Sequence, residues 1–387
     1  MTSTPQPNQL IAPGGRHTCV LTTAGAVACW GYNEFGQLGN GTITSSLLPV
    51  AVTGLTSGVT TVSAGDLHTC AITATGGLKC WGLNNGRLGD GTSTQRTTPV
   101  DVVGLTSNVI AVAASDGHTC ALTSSGGIKC WGSNTYGQLG DRTRTSRNAP
   151  VDVVGLTSGV VAIATGEYHT CALTSSGGVK CWGRANVGQI GDGNINDFVG
   201  HFEYGTPRDV ANMTSGVIAI TAGEYHTCAL KSAGSVSVYC WGYNSNGQIG
   251  DGTQTSRNTP ALVSALDFSG VAAITAGDRH TCVRTTAGAV LCWGTNIDGQ
   301  LGDGSFTTRY IPTAVVGLTS GVTVLVAGDR HTCAITTGNR GMCWGGNVNG
   351  EVGDATTILR NTPVNIIGFV PLASMRHITA FDAQFRG

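Results

Sequence analysis

The stretch that decides the fold runs from Val59 to Leu105. It opens with VTTVSAGDLHTCAIT (residues 59–73), continues with GGLKCWG (76–82) and NNGRLGDGT (84–92), and closes with TTPVDVVGL (97–105). These are four short apolar or alternating runs, separated by Gly, Asn, Asp and Pro. Such a pattern predicts four strands joined by turns. No window shows a 3.6-residue period, so helices are not expected.

This stretch recurs seven times along the 387 residues. A His-Thr-Cys triplet begins at His17, His68, His118, His169, His226, His280 and His331. A Cys-Trp-Gly triplet follows each one, with its Trp at 30, 81, 131, 182, 241, 293 and 344. A repeat of about 50 residues indicates a propeller, a solenoid or an array. One four-stranded unit buries too little surface to stand alone, so the sequence predicts an all-β, seven-bladed β-propeller of four-stranded antiparallel blades.

The predicted propeller is a single domain spanning residues 1–369. Its blades are expected at approximately 8–58, 59–108, 109–159, 160–216, 217–270, 271–321 and 322–369. Residues 370–387 depart from the repeat. They are expected to form a closing strand or a tail that leads to a domain outside this chain.

The composition narrows the classes of partner. Only 11% of the residues are charged and the formal net charge is −1, which argues against bulk electrostatic binding of nucleic acid or anionic membrane. No run of about 18 apolar residues is present, so no membrane span is expected. Residues 1–9 lack the apolar segment of a signal peptide, and the numbering is expected to be that of a mature form or an excised domain.

These residues resemble the RCC1 (regulator of chromosome condensation) repeat family, in a bacterial-type secreted form. The resemblance is carried by the His-Thr-Cys-Ala-Leu, Cys-Trp-Gly-x-Asn-x-x-Gly-Gln-Leu-Gly-Asp-Gly-Thr and Arg-x-x-Pro-Val segments over about residues 8–369. It implies the propeller fold, but several functions, because the family includes guanine-nucleotide exchange factors, a plant ultraviolet receptor and bacterial β-lactamase inhibitors. The plant receptors carry Trp in loops where this chain has none. The exchange factors insert a β-wedge that is longer than any insertion in this chain.

The 14 cysteines form seven pairs, six of them ten residues apart and one twelve apart. A turn lies midway in each pair, so the two cysteines are expected to face each other across a hairpin and to form a disulfide. The predicted bonds join Cys19 with Cys29, Cys70 with Cys80, Cys120 with Cys130, Cys171 with Cys181, Cys228 with Cys240, Cys282 with Cys292, and Cys333 with Cys343. Reduced core thiols are the alternative, and the spacing fits no zinc site. Seven disulfides indicate an oxidising compartment, extracellular or periplasmic.

Two further patterns are expected to serve the blades themselves. A histidine present in every blade is expected to bond turn backbone rather than to catalyse a reaction, since catalysis needs one asymmetric constellation. Asp and Arg stand six apart in five repeats, and repeat one lacks both, which predicts an ion pair that clips the third connection. The five pairs are Asp90 with Arg96, Asp141 with Arg147, Asp251 with Arg257, Asp303 with Arg309, and Asp354 with Arg360.

Binding is expected where the repeats differ, on the face shared by the first-to-second and third-to-fourth connections. The candidate binding residues of the inner connections are Arg16, Asp66, Glu167, Tyr168, Glu224, Tyr225, Asp278, Arg279, Asp329 and Arg330. An insertion in repeat four adds Phe198, His201, Phe202 and Tyr204. It is expected to pack on its own blade, to join a recognition surface, or to place His201 with Asp197 or Glu203 as an acid–base site. Residues 192–197 also permit a calcium-loop interpretation, although the full ligand pattern is missing.

The sequence therefore predicts a non-enzymatic binding or structural propeller that is extracellular and monomeric. Its partner is expected to be a protein or an extracellular polymer, with no cofactor, metal or nucleic acid. A secreted hydrolase or lyase with a site at the propeller mouth is one alternative. A protein like the guanine-nucleotide exchange factors of the RCC1 family is another.

Overall fold

A computed structural model describes residues 10–194, 205–232, 234–264 and 270–369. In these ranges 28 strands form seven sheets, each of four antiparallel strands in chain order. The predicted all-β, seven-bladed propeller is therefore confirmed. The described ranges contain no helix that is long and apolar enough to cross a membrane.

Each blade is one contiguous segment of four strands, ordered from the axis outward. The innermost strands are β1 (Ile11–Pro13), β5 (Val59–Ala64), β9 (Val109–Ala114), β13 (Val160–Thr165), β17 (Val217–Ala222), β21 (Val271–Ala276) and β25 (Val322–Ala327). The second strands are β2 (His17–Leu21), β6 (His68–Thr73), β10 (His118–Thr123), β14 (His169–Thr174), β18 (His226–Ser232), β22 (His280–Thr285) and β26 (His331–Thr336). The third strands are β3 (Val27–Gly31), β7 (Leu78–Gly82), β11 (Ile128–Gly132), β15 (Val179–Gly183), β19 (Val236–Gly242), β23 (Val290–Gly294) and β27 (Gly341–Gly345). The outer strands are β4 (Ser46–Ala51), β8 (Arg96–Asp101), β12 (Arg147–Asp152), β16 (Arg208–Asp209), β20 (Arg257–Leu262), β24 (Arg309–Ala314) and β28 (Arg360–Asn365).

The innermost strands lie side by side around the axis, and β25 of blade seven contacts β1 of blade one. The backbone N–H of Asp329 donates to the carbonyl of Gly14 at 3.2 Å across this junction. Blades five and six are linked in the same way, by the N–H of Glu224 and the carbonyl of Asp278. All seven blades have four strands without residues 370–387, which lie outside the described residues.

All seven predicted disulfides are present, and the described residues contain no free cysteine. The partners sit opposite each other in the second and third strands, with Cα–Cα distances of 4.0–4.1 Å. The bonds join Cys19 to Cys29, Cys70 to Cys80, Cys120 to Cys130, Cys171 to Cys181, Cys228 to Cys240, Cys282 to Cys292, and Cys333 to Cys343. The pairing predicted from the spacing is therefore confirmed in every blade, and the alternative of reduced core thiols is not what the structure shows.

Blade five keeps the cysteine register despite its wider spacing. Each strand of its second hairpin is lengthened, and the hairpin closes on the Ser232–Val236 pair. Cys228 therefore stays opposite Cys240. The two extra residues are absorbed as one per strand, as the sequence predicts.

The seven repeat histidines bond the neighbouring blade, which corrects the expectation that they bond turn backbone. Each Nε2 lies 2.7–2.9 Å from the hydroxyl of the His-Thr threonine in the next blade, as in the pair His68 and Thr119. That hydroxyl donates to a buried backbone carbonyl of the histidine's own blade, Arg87 in this example. Because the hydroxyl proton is already used, the hydroxyl accepts from Nε2–H. One such hydrogen bond is present at each of the seven blade interfaces, and the bond between His331 and Thr18 joins blade seven to blade one.

The same carbonyls also hold the seven tryptophans, whose side chains are fully buried. Each indole N–H donates to the carbonyl of the preceding blade at 2.8–3.0 Å, as from Trp131 to Arg87. Gly89 lies over this indole with a φ of +70°, and a Cβ there would come within 2.6 Å of the Trp131 Nε1. Each Trp thus packs in the core of its neighbour, as Trp131 does with Leu88 and Val102.

The predicted Asp–Arg pairs are present in the five blades and hold the third connection. In blade two, Asp90 is 5% exposed, and its Oδ2 accepts from Arg96 at 2.7 Å. Its Oδ1 accepts from Asn84 and from the backbone and hydroxyl of Thr92. Burial raises the pKa of Asp90, but these hydrogen bonds outweigh it, so the net pKa lies below its ordinary value. A sixth pair, Asp192–Arg208 at 2.6 Å, was hidden in the sequence by the insertion of blade four.

Blade one shows how the connection closes without the ion pair. Asn40 stands in place of the aspartate, and its Oδ1 accepts from the N–H and hydroxyl of Thr42 at 3.1 and 2.8 Å. Ser46 stands in place of the arginine, and its hydroxyl donates to the carbonyl of Leu48. The amide oxygen of Asn40 thus reproduces the contacts of one carboxylate oxygen of the aspartate. Because Asn40 and Ser46 are both uncharged, no ion pair is needed.

Blade one therefore suggests how to test the ion pair between Asp90 and Arg96 in blade two. We expect Arg96→Ser alone to lower the free energy of unfolding by about 1–3 kcal/mol, because it leaves a buried carboxylate without its cation. Adding Asp90→Asn reproduces the arrangement of Asn40 and Ser46 and should restore most of that loss. Urea unfolding of both single variants and the double variant measures the coupling energy. Additive losses would show that the two side chains act independently.

Candidate functional site

The two variable connections of each blade meet on one face of the propeller. The residue after Trp-Gly donates its backbone N–H to the carbonyl of the residue before His, as Arg184 does to Tyr168 and Tyr243 does to Tyr225, both at 2.9 Å. This bond follows from the strand register, which pairs His169 with Gly183. The two connections therefore present adjacent side chains, and the expectation that they share a face is met.

At the centre of this face lies an open cavity of about 550 Å³, called the mouth here. Asp298 and Glu351 line it, and six further carboxylates at equivalent positions, one from each blade except the first, form what is called the carboxylate ring here. They are Asp66, Asp116, Glu167, Glu224, Asp278 and Asp329. Blade one has Gly15 at this position, and a side chain there would collide with the carboxylates of Asp66 and Asp329. The carboxylates of Asp66 and Asp329 therefore approach each other over Gly15 and occupy the space that a side chain of blade one would fill.

Three ring carboxylates have an arginine partner. The distances are 3.7 Å for Arg16–Asp66, 3.9 Å for Arg87–Asp116 and 2.7 Å for Arg279–Glu224. Arg330 also lines the mouth and lies 3.9 Å from Asp298, which is not a member of the ring. In all four pairs the partners belong to neighbouring blades, so the ion pairs also connect the loops around the mouth.

Asp278 and Asp329 form a carboxyl pair at one side of the mouth. Burial, followed by the charge of Glu224, raises the pKa of Asp278 to about 7. Burial and the neighbouring Asp278 also raise the pKa of Asp329, well above its ordinary value. The two side chains share a hydrogen bond. Two carboxylates can share one only when a proton remains between them, so the pair carries less than two negative charges near neutral pH.

An aromatic surface lies beside the mouth, over blades three to five. Four tyrosines and one arginine from blades three to five form a cluster, called the Tyr platform here. Its members are Tyr136, Tyr168, Arg184, Tyr225 and Tyr243. Successive ring centroids are 5.1, 6.2 and 6.4 Å apart. The Arg184 guanidinium lies 4.9 Å from the Tyr136 centroid and 5.5 Å from those of Tyr168 and Tyr225.

Glu167 joins the platform to the carboxylate ring. Its side chain lines the mouth, and its carboxylate interacts with the hydroxyls of Tyr168 and Tyr225. Burial raises the pKa of Glu167, and those hydroxyls oppose the shift. The hydrogen bond to Glu167 raises the pKa of the Tyr168 phenol, and burial followed by that bond does so for Tyr225. Both phenols therefore stay neutral, and their hydroxyls are oriented before any partner arrives.

The structure brings together ten of the fourteen candidate binding residues on this face. Phe198, His201, Phe202 and Tyr204 lie outside the described residues, as do Asp197 and Glu203. Three platform residues, Tyr136, Arg184 and Tyr243, were not among the candidates. Their signal was present in the repeat, because each belongs to a third connection that follows Cys-Trp-Gly.

Metal binding has little support among the described side chains. No group of three His, Cys, Asp or Glu side chains that could hold a metal ion occurs in the described ranges. In the calcium-loop interpretation of residues 192–197, Asp192 already accepts from Arg208 and from the backbone of Asn194. The seven repeat histidines are buried in the blade interfaces, and of these only His331 lines the mouth.

Comparisons with known proteins agree with this fold. The family model of the RCC1-like domain matches residues 2–237 and 98–384. The ultraviolet-B receptor UVR8 of Arabidopsis thaliana is 30% identical over 312 residues, or 80% of this chain and 58% of the receptor. The human E3 ubiquitin-protein ligase HERC2 is 34% identical over 281 residues, or 71% of this chain and 6% of the ligase. The chain thus spans little more than half of the first relative and a small part of the second.

Two solved structures share the architecture. Prp20p of Saccharomyces cerevisiae, studied for its binding to Gsp1p and histones, has a TM-score of 0.77 at 21% identity, covering 89% of this chain and 87% of its own. Human WBSCR16 has a TM-score of 0.73 at 22% identity, covering 84% of this chain and 86% of its own. At such identities the likeness shows the fold alone.

Proposed function

Because this chain belongs to the RCC1-like domain family, we propose that it is a non-enzymatic binding propeller that engages a partner protein through its loop face. The family is one of protein-interaction propellers, and Prp20p is a member known with protein partners. The observation that carries the proposal for this chain is the Tyr platform. It is a feature of blades three to five alone, as expected of a binding surface and not of the repeat.

The platform has the properties of an interaction hot spot. Tyr and Arg are the residue types enriched at the centres of protein interfaces. Tyr168 and Tyr225 are held by Glu167 and by the Arg184 guanidinium, so little side-chain entropy remains to be lost on binding. The platform rests on connections that are tied to the strands by backbone hydrogen bonds. A rigid aromatic surface beside an open cavity suits a protein partner with a protruding loop.

The disulfides support an extracellular or periplasmic location for this binding. Structural disulfides persist in oxidising compartments, and this propeller has one in every blade. Protein purified from its native source and denatured without reductant should show essentially no free thiol. A count near all 14 cysteines would contradict the secreted location and favour an intracellular relative of the exchange factors.

The binding face is tested by affinity capture from extracellular material with matched variants. Tyr168→Ala/Tyr225→Ala removes the centre of the platform. Lys129→Ala/Lys180→Ala is the control, because those side chains lie near the opposite end of the blades, in exposed pairs with Asp152 and Asp209. We expect the platform variant to lose captured partner while the control retains it. Equal capture by all three proteins would place the binding site elsewhere.

One observation favours a second candidate, a hydrolase or lyase acting at the mouth. Asp278 and Asp329 share a proton inside an open cavity, and such pairs can serve as acid and base. This candidate requires hydrolysis of a polysaccharide or peptide substrate by the wild-type protein and its loss in Asp278→Asn/Asp329→Asn. If the wild-type protein leaves a panel of such substrates intact, the enzyme candidate is excluded.

A further inference from the structure

Resting on the proposed function, we infer that the partner inserts a basic side chain, lysine or arginine, into the mouth between Asp278 and Asp329. An apolar residue beside it on the same loop then packs on the Tyr platform. The binding partner is thus a protein with an exposed loop in which a basic residue adjoins an apolar one. Two independent features of the face lead to this assignment, the carboxyls of the mouth that have no arginine within 4 Å among the described residues and the aromatic surface next to them.

The carboxylates of the ring differ in whether an arginine is close to them. Asp66, Asp116 and Glu224 each have an arginine within 4 Å. Among the described residues Asp278 and Asp329 have no such ion pair, and their shared hydrogen bond is with each other. A proton currently reduces their repulsion. An ammonium or guanidinium group can replace that proton and bond both carboxylates, which pairs two buried acids with one cation.

The space beside this pair suits a side chain rather than a domain. Gly15 contributes no side chain to the mouth, and the carboxylates of Asp329 and Asp66 approach each other over it. The mouth holds about 550 Å³, within the range of cavities that enclose small ligands. The inner strands around it end in small residues, so its floor is backbone and short side chains, as at Ala276 and Ala327. A long, flexible basic side chain can reach the carboxylates from a loop that stays on the rim.

The Tyr platform selects the neighbouring residue. Arg184 already lies over three of its rings, so a second cation there would meet like charge. Neutral apolar groups avoid that repulsion and gain contact with the ring faces. The basic residue is therefore directed to blades six and seven, and the apolar one to blades three to five. A divalent metal is a poorer occupant, because the described residues offer no three-ligand group.

The experiment is a selection of disulfide-closed loops of about seven random residues, displayed on phage, against the immobilised full chain. We expect enriched loops to carry lysine or arginine next to an apolar residue. A synthetic loop should then bind at least about tenfold more weakly to Asp278→Asn/Asp329→Asn than to the wild type. Exchanging its basic residue for norleucine should cause a similar loss, with little further loss on the Asn variant. Lys129→Ala/Lys180→Ala should bind the loop like the wild type.

The norleucine loop keeps the test independent of whether the Asn variant folds. Enriched loops without a basic residue, or loops whose binding survives both changes, would overturn the inference, as would a selection that enriches nothing. Failure of the proposed function is distinct from these results. The Tyr168→Ala/Tyr225→Ala variant can still lose its extracellular partner while the selected loops show no preference for a basic residue. In that case the proposed binding face is supported, and the inferred insertion of a basic side chain is rejected.

Discussion

Acidification from pH 7 to pH 5 should lower the free energy of unfolding by on the order of 10 kcal/mol, because seven buried histidines must stay neutral in the folded state. Burial lowers their pKa values to about 3 or 4 in six blades, and well below the ordinary value for His68. The structural reason lies in the interface link. Nε2–H is donated to threonine, and in every blade except the third Nδ1 has no partner, so a proton added there is a buried charge without an acceptor.

The sign follows from the two states. Above the ordinary histidine pKa of 6.5 the histidines are neutral whether the chain is folded or not, and they contribute no pH dependence. Below it the unfolded chain binds protons that the folded chain refuses, so stability falls until the pH reaches the folded pKa values of about 3 or 4. Asp278 and Asp329 act in the opposite direction, because the folded state holds their protons more tightly. Burial also raises the pKa values of Asp66 and Glu167, and these four carboxyls offset only part of the effect of seven histidines.

Urea unfolding at half-unit pH steps, with the disulfides intact, measures this dependence. The slope at pH 5 should correspond to an uptake of about five to seven protons on unfolding. His118→Gln should reduce the uptake by one. Asp278→Asn/Asp329→Asn should increase it, because the opposing groups no longer titrate. A free energy of unfolding that is flat between pH 7 and pH 5 would show that the histidines are protonated in the folded protein.

The repeat predicted the blades well because each blade is specified locally. The ten-residue cysteine spacing, the turn between the cysteines and the Cys-Trp-Gly triplet all lie within one hairpin. Even the twelve-residue pair was predictable, since one residue added to each strand keeps Cys228 opposite Cys240. What the sequence did not show was the connection between blades. The link from His68 to Thr119 joins residues 51 apart, and only the packing angle of adjacent sheets brings them together.

The candidate site shows the same difference between features that one repeat specifies and features that arise when the blades pack together. Tyr168 and Tyr225 were predicted because the position before His is variable and lies on the loop face. Arg184 was accessible by the same reasoning, because the register that pairs His169 with Gly183 places Arg184 beside Tyr168. Tyr136 also lies in a variable third connection, but its contact with Tyr168 comes from the preceding blade and could not be predicted from a single repeat. The clustering of charge around Asp278 and Asp329 likewise depends on the curvature of the ring, which no single repeat encodes.

Trp30→Ala and Trp182→Ala should each lower the free energy of unfolding by about 3–5 kcal/mol, with similar losses at the two sites. Both indoles are fully buried and bond a carbonyl of the neighbouring blade, Glu351 for Trp30 and Gln138 for Trp182. Trp30, however, joins blade one to blade seven, and Trp182 joins blades four and three. Similar losses are expected because the ring closes with the same contacts that join the other blades.

The two variants should differ in where the ring opens. Blade three is tied to blade four by the chain itself, whereas blade seven and blade one are held together by side-chain packing and hydrogen bonds. The inner strand of blade one is also the shortest of the seven, with only Ile11, Ala12 and Pro13 paired to β2. Native-state hydrogen exchange should therefore speed up in β2 of Trp30→Ala more than in β14 of Trp182→Ala. A much smaller stability loss in Trp30→Ala, with exchange unchanged in β2, would mean that another element carries the closure. The junction between blades seven and one has the same Trp–carbonyl and His–Thr hydrogen bonds as the other six junctions. We therefore expect it to be weaker only because the chain connection is missing and the inner strand of blade one is short.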